Sequence, residues 1–435
     1  MGGADSFLAS LGEARMVFDL DAFARLLAAL DFPERRIPAL HVAGTNGKGS
    51  VCAMAEAVLR GHGEHTGLYT SPHLDHPRER LAIDGEAIAL DRFEGEVVAL
   101  RDRLAHAAEA TGYSYFDFLT ALGFTLFAAE SVSAAVVETG LGGRLDSTRL
   151  CQARVACITP IDFDHTAILG DTLAAIAREK AGILRPGGVA VVAPQVEEVA
   201  EVVAGVAGAC GCTLLRFGHE FGAEVSGTRG GTPVCVGHPV DGAAAARTWR
   251  YHSLSGTTLE LPMPLLGDHQ VVNGACALAC VEAFRRRPLD PERTAAALAG
   301  VRWPGRLEWI GDVLVDGAHN VAGARVLGAY LRAQKRPIRL LWGMLRDKDA
   351  AGFFAALGVR PVEVILPRLA APRGRTPETL VELLPPALPY RLAETVAEGL
   401  AMARGDGETR VCVTGSLTLV GEARRLLLTP AAHAR

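Results

Sequence analysis

One stretch near the N-terminus decides the fold: His41-Val42-Ala43-Gly44-Thr45-Asn46-Gly47-Lys48-Gly49-Ser50. It follows the apolar run 39–43, which predicts a strand, and it opens a helical pattern that begins near Ser50. A glycine-rich turn between a strand and a helix exposes backbone N–H groups at the helix N-terminus, where a phosphate group is favoured. Lys48 would reach the outer phosphates of a nucleotide. The stretch therefore predicts a nucleotide-binding loop, and its alternative is a glycine-rich turn that merely starts a helix.

The rest of the chain alternates short apolar runs with Ala- and Leu-rich helical patterns. In the first half, strands are predicted at residues 39–43, 134–138, 155–159 and 189–193, with a helix near 173–181. After the Pro/Gly junction at 302–305, strands are predicted at 313–315, 338–342, 362–366 and 411–414. Strands that are apolar on both faces and separated by helices indicate a parallel sheet covered on both sides. We therefore predict an α/β protein with domains over residues 1–300 and 301–435, the first carrying a β-rich elaboration between about 205 and 262.

Length, composition and charge exclude several classes of protein. The 435 residues suffice for two or three domains, and 49% hydrophobic with 21% charged residues is globular rather than disordered. With 44 Lys+Arg against 49 Asp+Glu there is no basic excess for nucleic acid. No apolar run approaches the ~18–20 residues of a membrane helix, and no secretory signal pattern is present. We expect a cytoplasmic protein without nucleic-acid or membrane partners, whose nine cysteines are reduced.

The nucleotide loop departs from the common GxxxxGK[ST] pattern, because Val42 replaces the first glycine and Gly49 precedes Ser50. In this form it resembles the loop of ATP-dependent amide ligases, which include the muramyl ligases and, most closely, the folylpolyglutamate synthase/dihydrofolate synthase family. Further segments resemble that family in the same order: 70–74, 114–120, 138–148, 164–165 with 169–170, 179–183, 266–270 with 273, 305–308 and 316–320. The resemblance implies a P-loop-containing N-terminal ATPase domain with a central, mostly parallel sheet, and a smaller Rossmann-like α/β C-terminal domain.

The resemblance also implies a reaction. A carboxylate is a poor electrophile at neutral pH, so joining it to an amine requires an acyl phosphate made with the γ-phosphoryl group of ATP. The implied substrates are ATP, L-glutamate, and dihydropteroate or reduced folates, with Mg²⁺ at two sites. The matches in the dihydropteroate segment favour both pteridine activities, with a monofunctional synthase as the alternative, and the residues leave a requirement for K⁺ open.

The resemblance assigns nucleotide contacts to residues from both predicted domains. They are Gly44, Thr45, Asn46, Gly47, Lys48, Gly49, Ser50, Asn273, Arg306, Asp316 and His319. The implied catalytic residues are Lys48, His165, Lys180 and Arg306. The planar fork of Arg306 suits phosphate, and closure of the domains would exclude water from the acyl phosphate. From the residues alone, Arg306 could instead form a surface salt bridge, and His319 could cap a turn.

The metal sites implied by the resemblance use Ser71 and Glu138 for the first Mg²⁺, and His165 and Lys180 for the second. Mg²⁺ prefers oxygen ligands, and Glu138 ends a predicted strand, where parallel sheets bind ligands. Lys180 can serve only when carbamylated, because a protonated lysine cannot coordinate a metal. Taken alone, Glu138 could be an exposed carboxylate, Lys180 a solvated cation in the last turn of a helix, and His165 an ordinary loop histidine.

The pterin-binding residues implied by the resemblance are Ser114, Tyr115, Phe116, Asp117, Leu145, Asp146 and Ser147, with Asp146 hydrogen-bonding the pterin. Core packing is the alternative for the aromatic pair Tyr115 and Phe116. Four residues depart from the family pattern: Asp117 stands where Glu is usual, Arg149 where Asn, Gly274 where Ala, and Val321 where Pro. Because Arg149 lies beside the substrate segment, it bears on substrate preference more than on the reaction.

Two rival functions are weighed. A muramyl ligase shares the loop, but only about 40 residues precede it here, fewer than the ~100-residue domain that would bind a nucleotide-linked sugar. A P-loop switch or motor would need γ-phosphate-sensing loops and an interaction surface, whereas this chain offers two metal sites, a second domain and a substrate segment. The sequence favours the pteridine ligase, acting on small molecules. The residues leave the oligomeric state open, and the resemblance implies a monomer.

Overall fold

The computed structural model describes residues 3–13, 17–107, 111–226, 247–404 and 408–429. The strands of its largest sheet are β1 (Pro38–Ala43), β2 (Thr66–Tyr69), β3 (Leu81–Ile83), β4 (Glu86–Ala87), β5 (Ala134–Glu138), β6 (Gln152–Ile158), β7 (Val189–Val192) and β8 (Thr213–Arg216). Their order is β4-β3-β2-β5-β1-β6-β7-β8. All neighbours from β2 to β8 are parallel, and only β3 and β4 are antiparallel. The central position of β1 places the nucleotide loop at the middle of the carboxyl edge.

Helices cover both faces of this sheet. They are α1 (Gly3–Leu11), α2 (Leu20–Ala29), α3 (Lys48–Gly61), α4 (Leu90–Ala105), α5 (Tyr115–Ala129), α6 (Thr166–Leu169), α7 (Leu173–Ala181), α8 (Glu197–Ala209), α9 (His269–Arg285) and α10 (Pro291–Gly300). All five residues of β5 are buried: Val136 packs in the same core as α3 and α9, while Ala135 and Val137 pack in the core of α2, α4 and α5. This two-sided burial explains why the strands are apolar throughout rather than alternating.

A small antiparallel sheet packs against α9. Its strands, β9 (Gly222–Val225), β10 (Thr248–His252) and β11 (Thr258–Pro262), lie in the order β11-β10-β9. The β-rich region predicted from about 205 is therefore confirmed for β8 to β11, and residues 227–246 lie outside the described residues. The prediction is wrong for residues 205–209, where α8 continues. That helix buries Val199, Val203 and Ala207 at a spacing of four residues, which is helical periodicity.

The C-terminal part of the chain forms a third sheet. Its strands are β12 (Glu308–Ile310), β13 (Val313–Asp316), β14 (Ile338–Trp342), β15 (Glu363–Pro367), β16 (Tyr390–Ala393) and β17 (Arg410–Thr414), in the order β12-β13-β17-β14-β15-β16. The accompanying helices are α11 (Val321–Ala333), α12 (Ala350–Leu357), α13 (Pro377–Val381), α14 (Val396–Ala403) and α15 (Leu417–Leu428). Only β12 is antiparallel. The predicted α/β class, with a large and a smaller parallel-dominated sheet, is confirmed; the domain boundary at residue 300 stays a prediction.

Two further features concern the part of the chain that the structure describes. None of its helices combines the length and hydropathy that crossing a membrane requires. Its eight cysteines are all free thiols, as the sequence predicts for them.

Candidate active site

The predicted nucleotide loop lies between β1 and α3. β1 ends at Ala43, and α3 begins at Lys48 after Gly47, whose φ of 89° is readily adopted only by glycine. No side chain among the described residues caps α3, so its first N–H groups remain available to an anion. A Cβ on Gly47 would lie 2.5 Å from Asn273 Oδ1, which shows how closely α9 approaches the loop. The structure thus brings Asn273 to the loop, as the sequence predicts.

Two lysines converge on the carbonyl oxygens of this loop. Lys48 Nζ donates hydrogen bonds to Gly44 O at 3.2 Å and to Thr45 O at 3.3 Å, and Lys180 Nζ donates to Gly44 O at 2.9 Å. Lys180 is buried, and this burial, together with the charge of Lys48, lowers the pKa of Lys180 to about 7. About half of its amine is therefore neutral at pH 7. The alternative of a solvated lysine is wrong, because α7 packs this residue beneath the loop.

Glu138 and Ser71 form a small oxygen-rich site beside Lys48. Glu138 Oε2 accepts a hydrogen bond from Ser71 N at 3.2 Å. Burial raises the pKa of Glu138, and the positive charge of Lys48 opposes that rise. The Oγ atom of Ser71 is buried and has no hydrogen-bond partner among the described residues. An unpartnered hydroxyl next to a buried carboxylate is the donor set that a hard divalent cation would satisfy.

This donor set fits Mg²⁺ rather than a cation enclosed by protein ligands. The described residues contain no group of three or more His, Cys, Asp or Glu side chains placed to hold a metal ion. Mg²⁺ usually takes one or two protein oxygens and completes its shell with water and substrate phosphates. Ser71 and Glu138, at the mouth of a phosphate-binding loop, meet that description. The alternative of an exposed carboxylate at position 138 is wrong, since Glu138 is buried.

His165 lies in a network that joins the two halves of the molecule. Burial, followed by the charge of Lys348, lowers the pKa of His165 to about 4, so the imidazole is neutral at pH 7 and its Nε2 accepts from Lys348. Lys348 Nζ lies 3.2 Å from His165 Nε2 and 2.5 Å from Asp164 Oδ1. Burial alone would raise the pKa of Asp164, but a hydrogen bond from His319 and the charge of Lys348 hold it far below its ordinary value. Asp164 is therefore a permanent anion between the domains.

A pair of asparagines connects the loop directly to the second large sheet. Asn320 Nδ2 donates to Asn46 Oδ1 at 3.1 Å, and Asn46 Nδ2 donates to Asn320 Oδ1 at 3.2 Å. Asn320 Nδ2 also donates to Asp164 Oδ2 at 3.1 Å. Because Asn320 is the N-cap of α11, its position is set by that helix. The contact aligns the C-terminal sheet with the nucleotide loop.

The predicted site residues of the C-terminal part, Arg306, Asp316 and His319, lie around the turn after β13. Arg306 Nη1 donates to Gly305 O at 3.1 Å, and its charge reaches both Glu138 and Asp316. Asp316 accepts backbone hydrogen bonds from Leu307 at 2.9 Å and Ala318 at 3.0 Å. Burial raises the pKa of Asp316.

His319 occupies the same turn. Its Nδ1 donates to Gly317 O at 2.9 Å, and its Nε2 lies 3.6 Å from Asp164 Oδ2. Asp316 and His319 therefore stabilise this turn through hydrogen bonds to its backbone. The turn-capping contact that the sequence left open for His319 is present.

The predicted pterin segment forms a hydrogen-bonded cluster of its own. Ser114 caps α5 by accepting from Asp117 N at 3.1 Å, while Asp117 Oδ2 accepts from Ser114 N at 2.8 Å. Ser147 Oγ donates to Asp117 Oδ1. Asp146 accepts from Leu141 N at 2.8 Å and from Thr148 N and Oγ1 at 3.0 and 2.5 Å. The cluster binds the 145–148 turn to the start of α5.

Three further residues of this segment differ in exposure. Tyr115 is buried in the core of α2, α4 and α5, so core packing, the alternative to stacking on a ligand, is present for this ring. Phe116 is partly exposed and lies against Tyr69 with ring centroids 6.2 Å apart. Leu145 is also partly exposed. Phe116 and Leu145 thus keep a surface that a pterin could contact.

Local contacts account for three of the four residues that depart from the family pattern. Asp117 completes the capping box described above. Arg149 Nε donates to Gly182 O at 2.8 Å, which directs it toward the end of α7. A Cβ on Gly274 would lie 3.0 Å from the Trp249 ring, so glycine gives that ring room. Nothing in the structure explains Val321.

Four polar residues of the site were not predicted, and one of them is Asp164, which precedes the predicted His165. Lys348 lies in the charged run 346–349, which in sequence is typical of a solvated loop. Asn320 and Gln270 lie in segments that resemble the family, yet no role was assigned to them. Gln270 Nε2 lies 3.4 Å from Ser50 Oγ, and Gln270 Oε1 accepts from Asn273 Nδ2 at 2.9 Å. The sequence signal for Asn320 and Gln270 is their proximity to predicted site residues. No feature of the sequence points to Lys348.

Comparisons with known proteins agree with this geometry. Residues 42–281 match the Mur ligase middle domain, and residues 305–417 match the Mur ligase, glutamate ligase domain. The dihydrofolate synthase/folylpolyglutamate synthase of Mycobacterium tuberculosis is 35% identical over 95% of this chain and 91% of its own. The chain belongs to the folylpolyglutamate synthase/dihydrofolate synthase family.

Solved structures of this family superpose on nearly the whole chain. Escherichia coli FolC in complex with DHPP and ADP is 29% identical, with a TM-score of 0.84 and coverage of 98% of each chain. The bifunctional folylpolyglutamate synthase/dihydrofolate synthase of Yersinia pestis, complexed with AMPPNP and Mn ion, is 28% identical, with a TM-score of 0.83 and coverage of 98% of each chain. As a member of this family, the chain is an ATP-dependent ligase that forms carbon–nitrogen bonds on small molecules with the help of a divalent cation.

Proposed function

We propose that this chain joins L-glutamate to dihydropteroate, giving dihydrofolate, and to the terminal glutamate of reduced folates, extending a γ-linked chain. The observation that carries the proposal is the Glu138–Ser71 oxygen pair, buried beside Lys48 at the mouth of the nucleotide loop. Such a site would hold a phosphorylated nucleotide and a divalent cation next to the proposed substrate segment. The relatives named for these two activities support the choice of substrate.

ATP binding is proposed for the loop and its neighbours. The free N–H groups at the start of α3 would receive the phosphates, with Lys48 neutralising their charge. The residues proposed for these contacts are Gly44, Thr45, Asn46, Gly47, Lys48, Gly49, Ser50, Asn273, Arg306, Asp316 and His319. Among the described residues, the hydrogen bonds of Lys48 are to backbone carbonyls only, so its ammonium can turn to a phosphate without breaking an ion pair there.

Two divalent cation sites are proposed. Ser71 and Glu138 would hold one Mg²⁺, and His165 with carbamylated Lys180 would hold the other. Bound there, Mg²⁺ supplies charge neutralisation at the transferring phosphoryl group and the reacting carboxylate. The neutral imidazole of His165 and the unpartnered Ser71 hydroxyl suit these roles.

Carbamylation of Lys180 is supported by its surroundings. The neutral amine attacks CO₂, a carbon–nitrogen bond forms, and a proton leaves to give an anionic carbamate. A pKa lowered to about 7 by burial keeps enough neutral amine for this reaction at physiological pH. The nearby cation Lys48 would then stabilise the anion, whereas it now repels the protonated lysine.

The reaction itself proceeds in two steps that the residues position. A carboxylate oxygen of the substrate attacks the γ-phosphorus, and the bond to ADP breaks. The uncharged amine of glutamate then attacks the acyl carbon, and inorganic phosphate leaves. Arg306 stabilises the phosphoryl charge, and the Asn46–Asn320 contact keeps the second sheet over the loop so that water does not reach the acyl phosphate.

The pterin is proposed to lie along the segment formed by Ser114, Tyr115, Phe116, Asp117, Leu145, Asp146 and Ser147. The partly exposed surfaces of Phe116 and Leu145 would contact the ring. Asp146 accepts hydrogen bonds from Leu141 N and from Thr148 N and Oγ1, so it would hold the turn in place beside the pterin and would also accept from a pterin N–H.

The setting of the reaction completes the proposal. We propose that the protein acts in the cytoplasm on small molecules, without nucleic-acid or membrane partners, as its composition predicts. A monomeric state is proposed from the resemblance to the family. K⁺ is proposed as an additional, monovalent cofactor.

The experiment that tests the function is product mass spectrometry. Purified protein with Mg-ATP and L-glutamate receives dihydropteroate in one tube and tetrahydrofolate in another, with ATP omitted from matched controls. We expect a gain of one glutamyl group in the first tube and of at least one in the second. A gain in one tube alone would reduce the proposal to a monofunctional synthase, and no gain in either would overturn it.

A further inference from the structure

A buried arginine lies between the candidate pterin segment and the candidate metal site. Arg80 immediately precedes β3 and is only 4% exposed. Its Nε donates to His73 Nδ1 at 3.0 Å, and its Nη2 donates to Glu13 Oε1 at 3.0 Å. Burial, followed by the charge of Arg80, lowers the pKa of His73 to about 3, so this ring accepts the hydrogen bond as a neutral imidazole. None of the roles assigned above uses this guanidinium.

The strand register fixes where Arg80 lies. Thr70 N donates to Arg80 O at 3.0 Å, one residue beyond the Tyr69–Leu81 pair of β2 and β3. The parallel pairing of β2 with β5 reaches Tyr69–Val137, so Glu138 is next in the same row. Arg80, Thr70 and Glu138 therefore occupy one row across the carboxyl edge of the sheet. Side chains in one row share a face, and two strand spacings separate the ends of this row by about 10 Å.

Electrostatics and ring contacts agree with that placement. The charge of Arg80 is among the influences that oppose the raised pKa of Glu138. On its other side the guanidinium carbon lies 5.3 Å from the centre of the Tyr115 ring, at the start of the pterin segment. The space between Glu138 and Tyr115 is where the reacting carboxylate must lie if a pterin occupies its segment and a phosphate occupies the loop.

The guanidinium is incompletely paired for a buried cation. Its anionic partner among the described residues is Glu13, whose side chain is 60% exposed, and Nη1 has no hydrogen-bond partner in the part of the chain that the structure describes. Arginine cannot lose its proton in a protein, and burying its charge is costly unless anions and hydrogen bonds complete its fork. A carboxylate would supply both, in the bidentate geometry that arginine favours.

We propose that Arg80 binds the reacting carboxylate of the pteridine substrate, opposite the oxygen pair of Ser71 and Glu138; this rests on the function proposed above. Arg80 donates hydrogen bonds and transfers no proton. One carboxylate oxygen stays on the guanidinium while the other forms the bond to the γ-phosphorus and the bond to ADP breaks. The same contact restrains the acyl phosphate until the amine of glutamate attacks.

The test compares two ligands that differ only in the carboxylate. Dihydropteroate and its analogue lacking the carboxyl group, 6-(anilinomethyl)-7,8-dihydropterin, are titrated into the protein with Mg-ADP present, and binding is followed by calorimetry. We expect Arg80→Met to weaken dihydropteroate about 10- to 100-fold, as expected for loss of a charge-assisted pair, and to leave the analogue within about twofold. Arg78→Met is the matched control, because this arginine of the same turn donates to the backbone carbonyl of Ile88, and it should bind both ligands like the wild type.

Each outcome decides the proposal. Equal weakening of both ligands would show that Arg80 only supports the surrounding fold, and unchanged binding of both would show that it does not touch the carboxylate; either result overturns the proposal. If Arg80→Met fails to fold by circular dichroism, Arg80→Lys decides, with the ratio of the two affinities expected to fall at least about fivefold. Failure of the proposed function would be distinct, since the wild-type protein would then bind neither ligand and would add no glutamyl group to dihydropteroate.

Discussion

His41 provides a sharp test of how the strand that leads into the nucleotide loop is held. This histidine of β1 is fully buried, and its Nε2 lies 2.8 Å from Thr148 Oγ1. Because Thr148 Oγ1 donates its own proton to Asp146, it must accept from His41, which assigns the ring proton to Nε2. Burial, reinforced by the charges of Arg185 and Arg149, lowers the pKa of His41 to about 3. The ring is therefore neutral in the folded protein at pH 5 and above.

The size of the effect follows from proton linkage. The unfolded chain takes up a proton at His41 near pH 6.5, whereas the folded chain does so only near pH 3. The folded-state pKa is lowered, so this contribution is fully present above pH 6.5 and is lost as the pH falls toward 3. Its full size is about 5 kcal/mol, of which about 2 kcal/mol is lost between pH 7 and pH 5.

The perturbation is His41→Gln, which keeps a donor for Thr148 and cannot be protonated. The free energy of unfolding is measured in urea at pH 7 and at pH 5. We expect its decrease between these two pH values to be about 2 kcal/mol smaller in the variant than in the wild type. His219→Gln, in an exposed turn, is the control and should follow the wild type. Parallel curves for His41→Gln and wild type would refute the reasoning, because they would show that His41 does not titrate differently in the two states.

Three further predictions concern the site. Glu138→Gln should raise the Mg²⁺ concentration needed for half-maximal ADP release at least about tenfold, because it removes the anionic oxygen; an unchanged Mg²⁺ dependence would contradict the assigned metal site. Gly47→Ala should raise the KM for ATP about tenfold or more, since its Cβ would lie 2.5 Å from Asn273 Oδ1, whereas Gly63→Ala has a similar φ with no atom within 4 Å and should leave that KM unchanged. Asn320→Ala should lower kcat for ligation about tenfold and increase the share of ATP hydrolysed without product, measured as the ratio of ADP to glutamylated product; a constant ratio would contradict the role of this contact in excluding water.

The sequence predicts those strands and helices that are determined by residues close together in the chain. The apolar run at 134–138 became β5 because both faces of that strand are buried, and Glu138 lies at its end as expected. The glycine-rich turn leads into α3 because Gly47, which adopts a left-handed conformation, allows the chain to turn from the strand into the helix. The spacing of Ser114 and Asp117 before an apolar run also predicts a capping box, and the structure contains it within the proposed pterin segment.

Residues whose role depends on tertiary contact could not be predicted. Lys348 lies among charged neighbours and would be solvated if its loop were free, yet it is buried against Asp164 because the C-terminal sheet lies over the nucleotide loop. Arg80 belongs to an equally polar turn and is buried by the pairing of β2 with β3. Lys180 shows the same limit, since its sequence context is typical of a surface cation and only the packing of α7 places it beneath Gly44.

The central claim is that the chain activates a substrate carboxylate as an acyl phosphate. Dihydropteroate labelled with ¹⁸O in its carboxylate, incubated with Mg-ATP and L-glutamate, tests it most directly through mass spectrometry of the released phosphate. Transfer through an acyl phosphate moves one substrate oxygen to inorganic phosphate in each turnover, so the account predicts one ¹⁸O atom in the phosphate formed with each product molecule. Unlabelled phosphate, or label recovered in AMP, would contradict it.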